Sequence, residues 1–124
     1  MAGWFPFSKQ DKGQQAEQLA AAFLKKQGAK IVAKNYRCRR GEIDLIAQHD
    51  DVILFIEVKY RSRADYGGAV AAVDHRKQQR IRLSAEHYLQ QQGLNLHHTM
   101  IRFDVIAIMP DQAQPLWLTN AFGE

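Results

Sequence analysis

Two apolar segments joined by a pair of aspartates stand in the middle of the sequence, GEIDLIAQHDDVILFIEVKYR (residues 41–61). Both segments are rich in β-branched and aromatic residues, which is typical of strands, and the two aspartates at positions 50 and 51 are a natural loop for an antiparallel hairpin. With that loop, side-chain alternation places Asp44 directly opposite Glu57. The other face then pairs only apolar residues, which are fit for a core: Ala47 with Leu54, Leu45 with Ile56, and Ile43 with Val58.

Asp44 and Glu57 are like charges on facing strands, an arrangement that is destabilising unless something neutralises it. A divalent cation, Mg²⁺ or Mn²⁺, would do so, since such ions take carboxylate and carbonyl oxygens and water, and the Val58 carbonyl is an adjacent donor. Lys59 leans to the same face as Glu57, where an ammonium stabilises developing phosphorane charge or helps to deprotonate a water. The sequence therefore predicts a metal site at Asp44, Glu57 and Val58, with Lys59 beside it.

A second interpretation of the same residues needs no metal. Glu42, Asp44, Glu57 and Lys59 would then form a solvated ladder of charges at an open edge of the sheet. The apolar residues that surround these charges in both strands favour the metal site over the ladder.

The flanking sequence predicts a helix before the hairpin and another after it. In the first helix, residues 14–27, one apolar stripe is expected, and Gly28 is placed to end it: Ala16, Leu19, Ala20, Phe23 and Gln27. The other predicted elements are strands over 30–36, 42–48, 52–60, 100–109 and 116–118, a flexible loop over 61–73, and a helix from an Asp74 cap to Gly93. The order αβββαβ predicts an α/β fold with a mixed sheet flanked by helices.

Length and composition indicate one globular domain. The chain has 124 residues, of which 46% are hydrophobic and 24% are charged, so disorder and coiled-coil architectures are disfavoured. We expect an N-terminal arm over residues 1–12, with Trp4, Phe5 and Phe7, and a single domain over 13–124. The longest apolar run, Val52–Ile56, is too short to span a bilayer, and the N-terminus does not resemble a secretory signal. A cytoplasmic protein without membrane association is expected.

The net charge is +4, and most of the basic residues lie in three short clusters. These clusters contain Lys34, Arg37, Arg39 and Arg40, then Lys59, Arg61 and Arg63, then Arg76, Lys77, Arg80 and Arg82. Such clusters suit a polyanion such as nucleic acid, although a solvated basic surface is also common.

Several segments resemble known families. GEIDLIA (41–47) followed by FIEVKYRS (55–62) resembles the D…ExK core of the PD-(D/E)xK nuclease superfamily, except that Ile43 stands where the superfamily name has proline. Together with AEQLAAAFL, KNYRCRR and DHRKQQRI, these segments resemble the YraN-like family of bacterial proteins over roughly residues 13–109. The resemblance implies a restriction-endonuclease-like fold, similar to that of archaeal Holliday-junction resolvases.

The resemblance also implies an activity and a set of site residues. Metal ligands are expected at Asp44 and Glu57, the catalytic lysine at Lys59, and a helix acid at Glu17; Gln78 matches a polar helix position near the site. The implied activity is Mg²⁺- or Mn²⁺-dependent hydrolysis of DNA by an endonuclease on branched or structured DNA. Phosphate contacts are expected from seven basic residues: Arg37, Arg39, Arg40, Arg61, Arg63, Lys77 and Arg80.

Two alternatives to a nuclease stay open at this point. One is a non-catalytic nucleic-acid binding module of nuclease fold that acts in repair or recombination, and the other is a protein-interaction domain. Cutting both strands of DNA would need two active sites, which a symmetric homodimer supplies.

Overall fold

A computed structural model describes residues 9–61, 73–110 and 112–123, and describes only the backbone for residues 9–12. The predicted aromatic arm at Trp4, Phe5 and Phe7, Arg63, and nearly all of the predicted loop over 61–73 lie outside the described residues. The elements are helix α1 (Lys9–Lys26), strands β1 (Lys30–Cys38), β2 (Gly41–His49) and β3 (Val52–Tyr60), helix α2 (His75–Gln91), a 3₁₀ turn (Leu96–His98), and strands β4 (Ile101–Ile108) and β5 (Leu116–Leu118).

The five strands form one mixed sheet in the order β1-β2-β3-β4-β5. The pairing of β3 with β4 is parallel, and the other three pairings are antiparallel. The predicted mixed α/β architecture is therefore confirmed. Within the described ranges, no helix is long and apolar enough to cross a membrane.

Each helix covers one face of the sheet. The layer against α1 is built mainly from short helix residues and alternate strand residues: Ala16, Ala20, Ala21, Leu24, Leu45, Ala47, Leu54, Ile56, Ile106 and Ile108. The layer against α2 is larger and contains the aromatic residues Phe55, Phe103 and Phe122 together with Ile43, Ile46, Ile81, Ala85 and Leu89. Strand β3 lies between both layers, so it is central and buried.

The predicted hairpin is confirmed. Backbone pairing runs from His49 opposite Val52 to Leu45 opposite Ile56, in the predicted register. The residues at positions 50 and 51 form the turn. The predicted helix cap is confirmed as well, because Asp74 Oδ1 accepts a hydrogen bond of 2.8 Å from the backbone amide of Lys77.

Helix α1 differs from the prediction in its start and in its buried stripe. It begins at Lys9, so it includes residues 9–12, which the sequence assigned to the arm. Leu19, predicted to be in the core, is 50% exposed, and Gln27 is also exposed. Ala16 and Ala20 are buried as predicted and Phe23 packs half-buried on the same layer, whereas Ala21 and Leu24 complete the buried stripe in place of Leu19 and Gln27. The prediction was wrong by one position around the helix, because the alanine-rich sequence fits two adjacent stripes equally well.

Strand β2 changes faces at Asp44, which the sequence did not predict. Ile43 was expected on the same face as Leu45, but it packs in the α2 layer while Leu45 packs in the α1 layer. Strand β1 is irregular at the same level of the sheet. Asn35, which the register places across from Asp44, has a positive φ of 52°. Asparagine tolerates this left-handed conformation, which interrupts the alternation of side chains. The expected pairing of Ile43 with Val58 on the face of Leu45 is therefore wrong.

A buried charge joins the end of the sheet to the C-terminal segment. Asp104 on β4 is 0% exposed, and both of its oxygens accept hydrogen bonds from Arg102, at 2.9 and 2.8 Å. The Trp117 indole N–H and the Asn120 backbone amide also donate to it, at 2.9 and 2.8 Å. Four donors satisfy this carboxylate, so it has a structural role.

Candidate active site

Asp44 lies where the pairing of β2 with β3 ends. Beyond Leu45 and Ile56 the backbone pairing stops, and the amide of Val58 donates a hydrogen bond of 2.8 Å to Asp44 Oδ2. The carboxylate thus takes the place of a strand carbonyl. The change of face in β2 turns Asp44 out of both apolar layers and toward the neighbouring strand.

Glu57 is the most buried residue of the candidate site, with 4% of its surface exposed on the central strand. Two ammonium groups lie on its Oε2 atom: Lys59 Nζ at 3.4 Å and Lys77 Nζ at 3.2 Å. Lys59 shares the face of Glu57 by strand alternation, and Lys77 reaches it from the first turn of α2. The solvated ladder at an open edge is therefore wrong, since β3 is not an edge strand; Glu42 pairs instead with Arg37 on β1, at 3.1 Å.

The two carboxylates interact strongly. Burial, followed by the charge of Glu57, raises the pKa of Asp44 from an ordinary 3.8 to about 7, although the hydrogen bond from the Val58 amide opposes the shift. A protonated Asp44 also donates a hydrogen bond to Glu57, which raises the pKa further. Asp44 therefore keeps its proton at mildly acidic pH and releases it only near neutral pH.

The lysine from α2 responds to the same charges. Burial lowers the pKa of Lys77, but the charge of Glu57 and the hydrogen bond to it outweigh burial, so the pKa is raised. Asp44 and Glu42 add to this effect. Lys77 therefore stays charged beside the carboxylate pair.

Glu17 faces the site from α1. It lies in line with Ala21 on the helix, as expected, and is half-buried. Burial raises its pKa, and a hydrogen bond with the Asn35 side chain partly offsets the rise. The negative charges of Glu42 and Glu57 also raise the pKa of Glu17, so Glu17 lies within electrostatic range of both carboxylates.

The two carboxylates, Asp44 and Glu57, fit a divalent cation such as Mg²⁺ that takes few of its ligands from the protein. Within residues 9–61, 73–110 and 112–123, no group of three or more His, Cys, Asp or Glu side chains is arranged to hold a metal. Two carboxylates close enough to share a proton are nevertheless close enough to share a cation. Mg²⁺ commonly takes only one or two carboxylates and completes its shell with water and substrate phosphate. Asp44 and Glu57 would be the protein ligands, and the predicted Val58 carbonyl stays a prediction.

A basic groove adjoins the carboxylate pair. Its volume is about 530 Å³, and its lining includes five of the predicted phosphate contacts: Arg37, Arg39, Arg40, Lys77 and Arg80. Gly41 forms the wall where β2 begins, with a φ of 150° and with Arg80 Cβ and Ser84 Oγ each 3.3 Å from the place of a Cβ. A side chain there would strain the backbone and press on α2.

The other basic residues are distributed differently. Arg61 follows β3 directly, two residues beyond Lys59. Its backbone amide donates a hydrogen bond of 2.9 Å to the carbonyl of Ile108. Arg82, a member of the third basic cluster, donates to the carbonyls of Phe122 and Gly123 at 2.8 and 3.1 Å and so fixes the C-terminal segment. A cluster of basic residues in the sequence does not distinguish an arginine that lines the groove from one that holds a chain segment, as Arg82 does.

A family model described as uncharacterised protein family UPF0102 matches residues 16–108. The chain belongs to the UPF0102 family. It is 48% identical over 118 residues to a UPF0102 protein of Aeromonas hydrophila subsp. hydrophila, covering 95% of this chain and 88% of that protein. A UPF0102 protein of Colwellia psychrerythraea is 44% identical, covering 93% and 91%, and one of Alcanivorax borkumensis is 43% identical, covering 93% and 94%.

The UPF0102 match confirms the YraN-like resemblance and includes the whole candidate site. Glu17, Asp44, Glu57, Lys59 and Lys77 all lie within residues 16–108.

Two contributions to the site in this UPF0102 chain were missed from sequence. The contact of Lys77 with Glu57 was missed because its charge was assigned to phosphate binding alone. Asn35 was missed because the weak alternation of β1 gave no sign of a left-handed residue. Gln78 was placed near the site by resemblance, but its side chain donates to the carbonyl of Val73 at 2.9 Å and so holds the segment before α2.

Proposed function

We propose that this UPF0102 protein is a Mg²⁺- or Mn²⁺-dependent DNA phosphodiesterase, an endonuclease on branched or structured DNA. The observation that carries the proposal is the buried Asp44–Glu57 pair, with two lysines on Glu57, at the edge of a basic groove. An acid on β2 and an ExK sequence on β3 within the order αβββαβ also support a restriction-endonuclease-like fold in the PD-(D/E)xK superfamily.

Each part of the site has a role in this chemistry. Arg37, Arg39 and Arg40 would bind phosphates along the backbone, without reading sequence. Asp44 and Glu57 would hold the cation, which supplies charge stabilisation at the phosphate and lowers the pKa of an attacking water. In-line attack forms the new P–O bond and breaks the bond to the 3′ oxygen, leaving a 5′ phosphate and a 3′ hydroxyl.

Lys59 would provide positive charge where the phosphorane develops. Its ammonium is 3.4 Å from Glu57 Oε2 and three-quarters buried, so its position is fixed before substrate binds. Preorganised charge of this kind is worth more in a dry site than in water.

The test is cleavage of a panel of labelled DNA molecules by the purified protein. Linear, nicked, flapped and four-way substrates are incubated with Mn²⁺, with Mg²⁺ and with EDTA. We expect products only with a divalent cation and a loss of activity in Glu57→Gln. Asp51→Asn, which removes a carboxylate from the exposed turn of the same hairpin, serves as the matched control and should keep full activity.

Two results would count against the nuclease. Equal cleavage by Glu57→Gln and the wild type would trace the activity to a contaminant. DNA binding without cleavage on every substrate would support the non-catalytic binding module instead. That alternative is favoured by one observation, namely that the two lysines already neutralise Glu57 without a cation.

A further inference from the structure

Lys77 belongs to two parts of the molecule at once. Its Nζ atom is 3.2 Å from Glu57 Oε2, and the same residue lines the basic groove with Arg39, Arg40 and Arg80. Its side chain is 36% exposed, whereas Glu57 is 4% exposed. Lys77 therefore connects the buried carboxylate pair to the surface on which phosphates would lie.

The two lysines neutralise the carboxyl pair without any bound cation. Both ammonium groups, Lys59 Nζ and Lys77 Nζ, contact the same oxygen of Glu57, so their positive charge equals or exceeds the negative charge of Asp44 and Glu57 whether or not Asp44 is protonated. A divalent cation shared by the two carboxylates would lie within a few ångströms of both ammonium groups. Repulsion at that distance in a buried site is strong, so at least one lysine must move away.

Lys77 is the lysine that the fold constrains less. Lys59 is on β3, two residues from Glu57, and its side chain is 24% exposed. The strand holds it on the same face as Glu57. Lys77 is on a different element and is more exposed, and a flexible four-carbon stem allows its ammonium to turn into the groove.

We propose that Lys77 exchanges partners when a divalent cation binds: without the cation it neutralises Glu57, and with the cation it turns into the groove and contacts a nucleic-acid phosphate. This inference rests on the proposed function. It makes the number of phosphate contacts depend on occupancy of the cation site, so that the protein binds DNA more firmly once it is loaded with metal.

The first test measures Mn²⁺ binding in the absence of DNA. Because the coupling between two charges is reciprocal, removal of Lys77 must favour the cation as much as the cation disfavours Lys77. We expect Lys77→Gln to bind Mn²⁺ about fivefold or more tightly than the wild type by calorimetry or paramagnetic resonance. Arg80→Gln, one turn along α2 and lining the same groove, should bind Mn²⁺ like the wild type. Unchanged or weaker Mn²⁺ binding by Lys77→Gln would overturn the inference.

The second test measures phosphate contacts through salt dependence. Each contact adds about 0.9 to the slope of log K against log salt for duplex DNA. Relative to the wild type, Lys77→Gln should have the same slope in EDTA and a slope lower by about 0.9 in Mn²⁺. Arg80→Gln should be lower by about 0.9 in both conditions. A linear duplex is used, its integrity is checked on a denaturing gel, and all proteins are compared at one Mn²⁺ concentration.

The outcomes separate this inference from the proposed function. Equal slope differences for Lys77→Gln in EDTA and in Mn²⁺ would make Lys77 a permanent phosphate contact, and no difference in either would make it a structural partner of Glu57. Both results overturn the exchange while leaving cleavage untouched. If the wild type neither binds Mn²⁺ nor cleaves DNA, the inference and the proposed function fail together.

Discussion

Replacing Asp44 by asparagine should stabilise the protein when no divalent cation is present. The folded protein raises the pKa of Asp44 from 3.8 to about 7, and each pKa unit is worth about 1.4 kcal/mol, so ionising this group in the folded state costs at most ~4 kcal/mol. The asparagine oxygen still accepts from the Val58 amide, but the amide group must still be buried. We expect about half of the limit, ~2 kcal/mol, or a Tm higher by ~8 °C.

The effect should depend on pH in a defined direction. Between pH 4 and 7 the folded state retains the proton on Asp44 that the unfolded state has released, so wild-type stability falls as pH rises across this window. Asp44→Asn removes that slope. With the cost of burying the amide included, the variant should therefore be ~2 kcal/mol less stable than the wild type near pH 4 and ~2 kcal/mol more stable above pH 7.

Mn²⁺ should reverse the order of stability. A ligand that binds only the folded state adds RT ln(1 + [L]/Kd), which is ~2.7 kcal/mol at a hundredfold excess over Kd. The wild type should gain this amount and Asp44→Asn should gain little, because it lacks one of the two carboxylates. With a starting gap of ~2 kcal/mol, the two melting temperatures should cross at roughly thirty times Kd.

The assay is a melting series of both proteins over Mn²⁺ concentration, at pH 8 and repeated at pH 4.5. Asp51→Asn, on the exposed hairpin turn, controls for the loss of a negative charge and should parallel the wild type throughout. If, at pH 8, Asp44→Asn is less stable than the wild type by the same amount at every Mn²⁺ concentration, Asp44 is a structural hydrogen-bond acceptor. That result would refute both the repulsion and the metal site.

Three further outcomes are expected. Lys59→Ala should lower the cleavage rate about a hundredfold with little change in DNA affinity, and equal losses in the two would make Lys59 only a structural partner of Glu57. The double variant Arg39→Gln with Arg40→Gln should reduce the salt slope of DNA binding by about 2, whereas an unchanged slope would place both residues away from the DNA. Asp104→Asn should lower the free energy of unfolding by ~3 kcal/mol in urea titrations, because the arginine paired with it loses its counter-charge; a loss below 1 kcal/mol would show that the network relaxes.

Local patterns were enough to predict the hairpin and most element boundaries. The range of β3 was predicted to the residue, because a two-residue turn and an apolar alternation together leave one register. The approach of Asp44 to Glu57 followed from the same register. These features depend on residues that are close in sequence, so local patterns predict them without knowledge of distant contacts.

Features that depend on distant contacts were not predicted. The change of face at Ile43 coincides with the left-handed Asn35 on the neighbouring strand, and no pattern within β2 indicates it. The ion pair of Lys77 with Glu57 needs α2 to pack across the sheet, with its first turn close to the end of β3. Leu19 is exposed because the helix stripe that meets the sheet runs through Ala21 and Leu24.

The parallel pairing of β3 with β4 has a consequence for how the chain folds. A two-residue hairpin closes in about 1–10 μs, whereas a parallel pair must wait for its crossover, here through α2. Asp44 and Glu57 therefore meet early in folding, and Lys77 arrives only with α2. During that interval the nascent hairpin carries two carboxylates with one neutralising lysine, Lys59. Acid and divalent cations would therefore speed the early steps of refolding, and the basic groove, which Lys77 and Arg80 of α2 help to line, would form only in chains in which α2 has packed on the sheet.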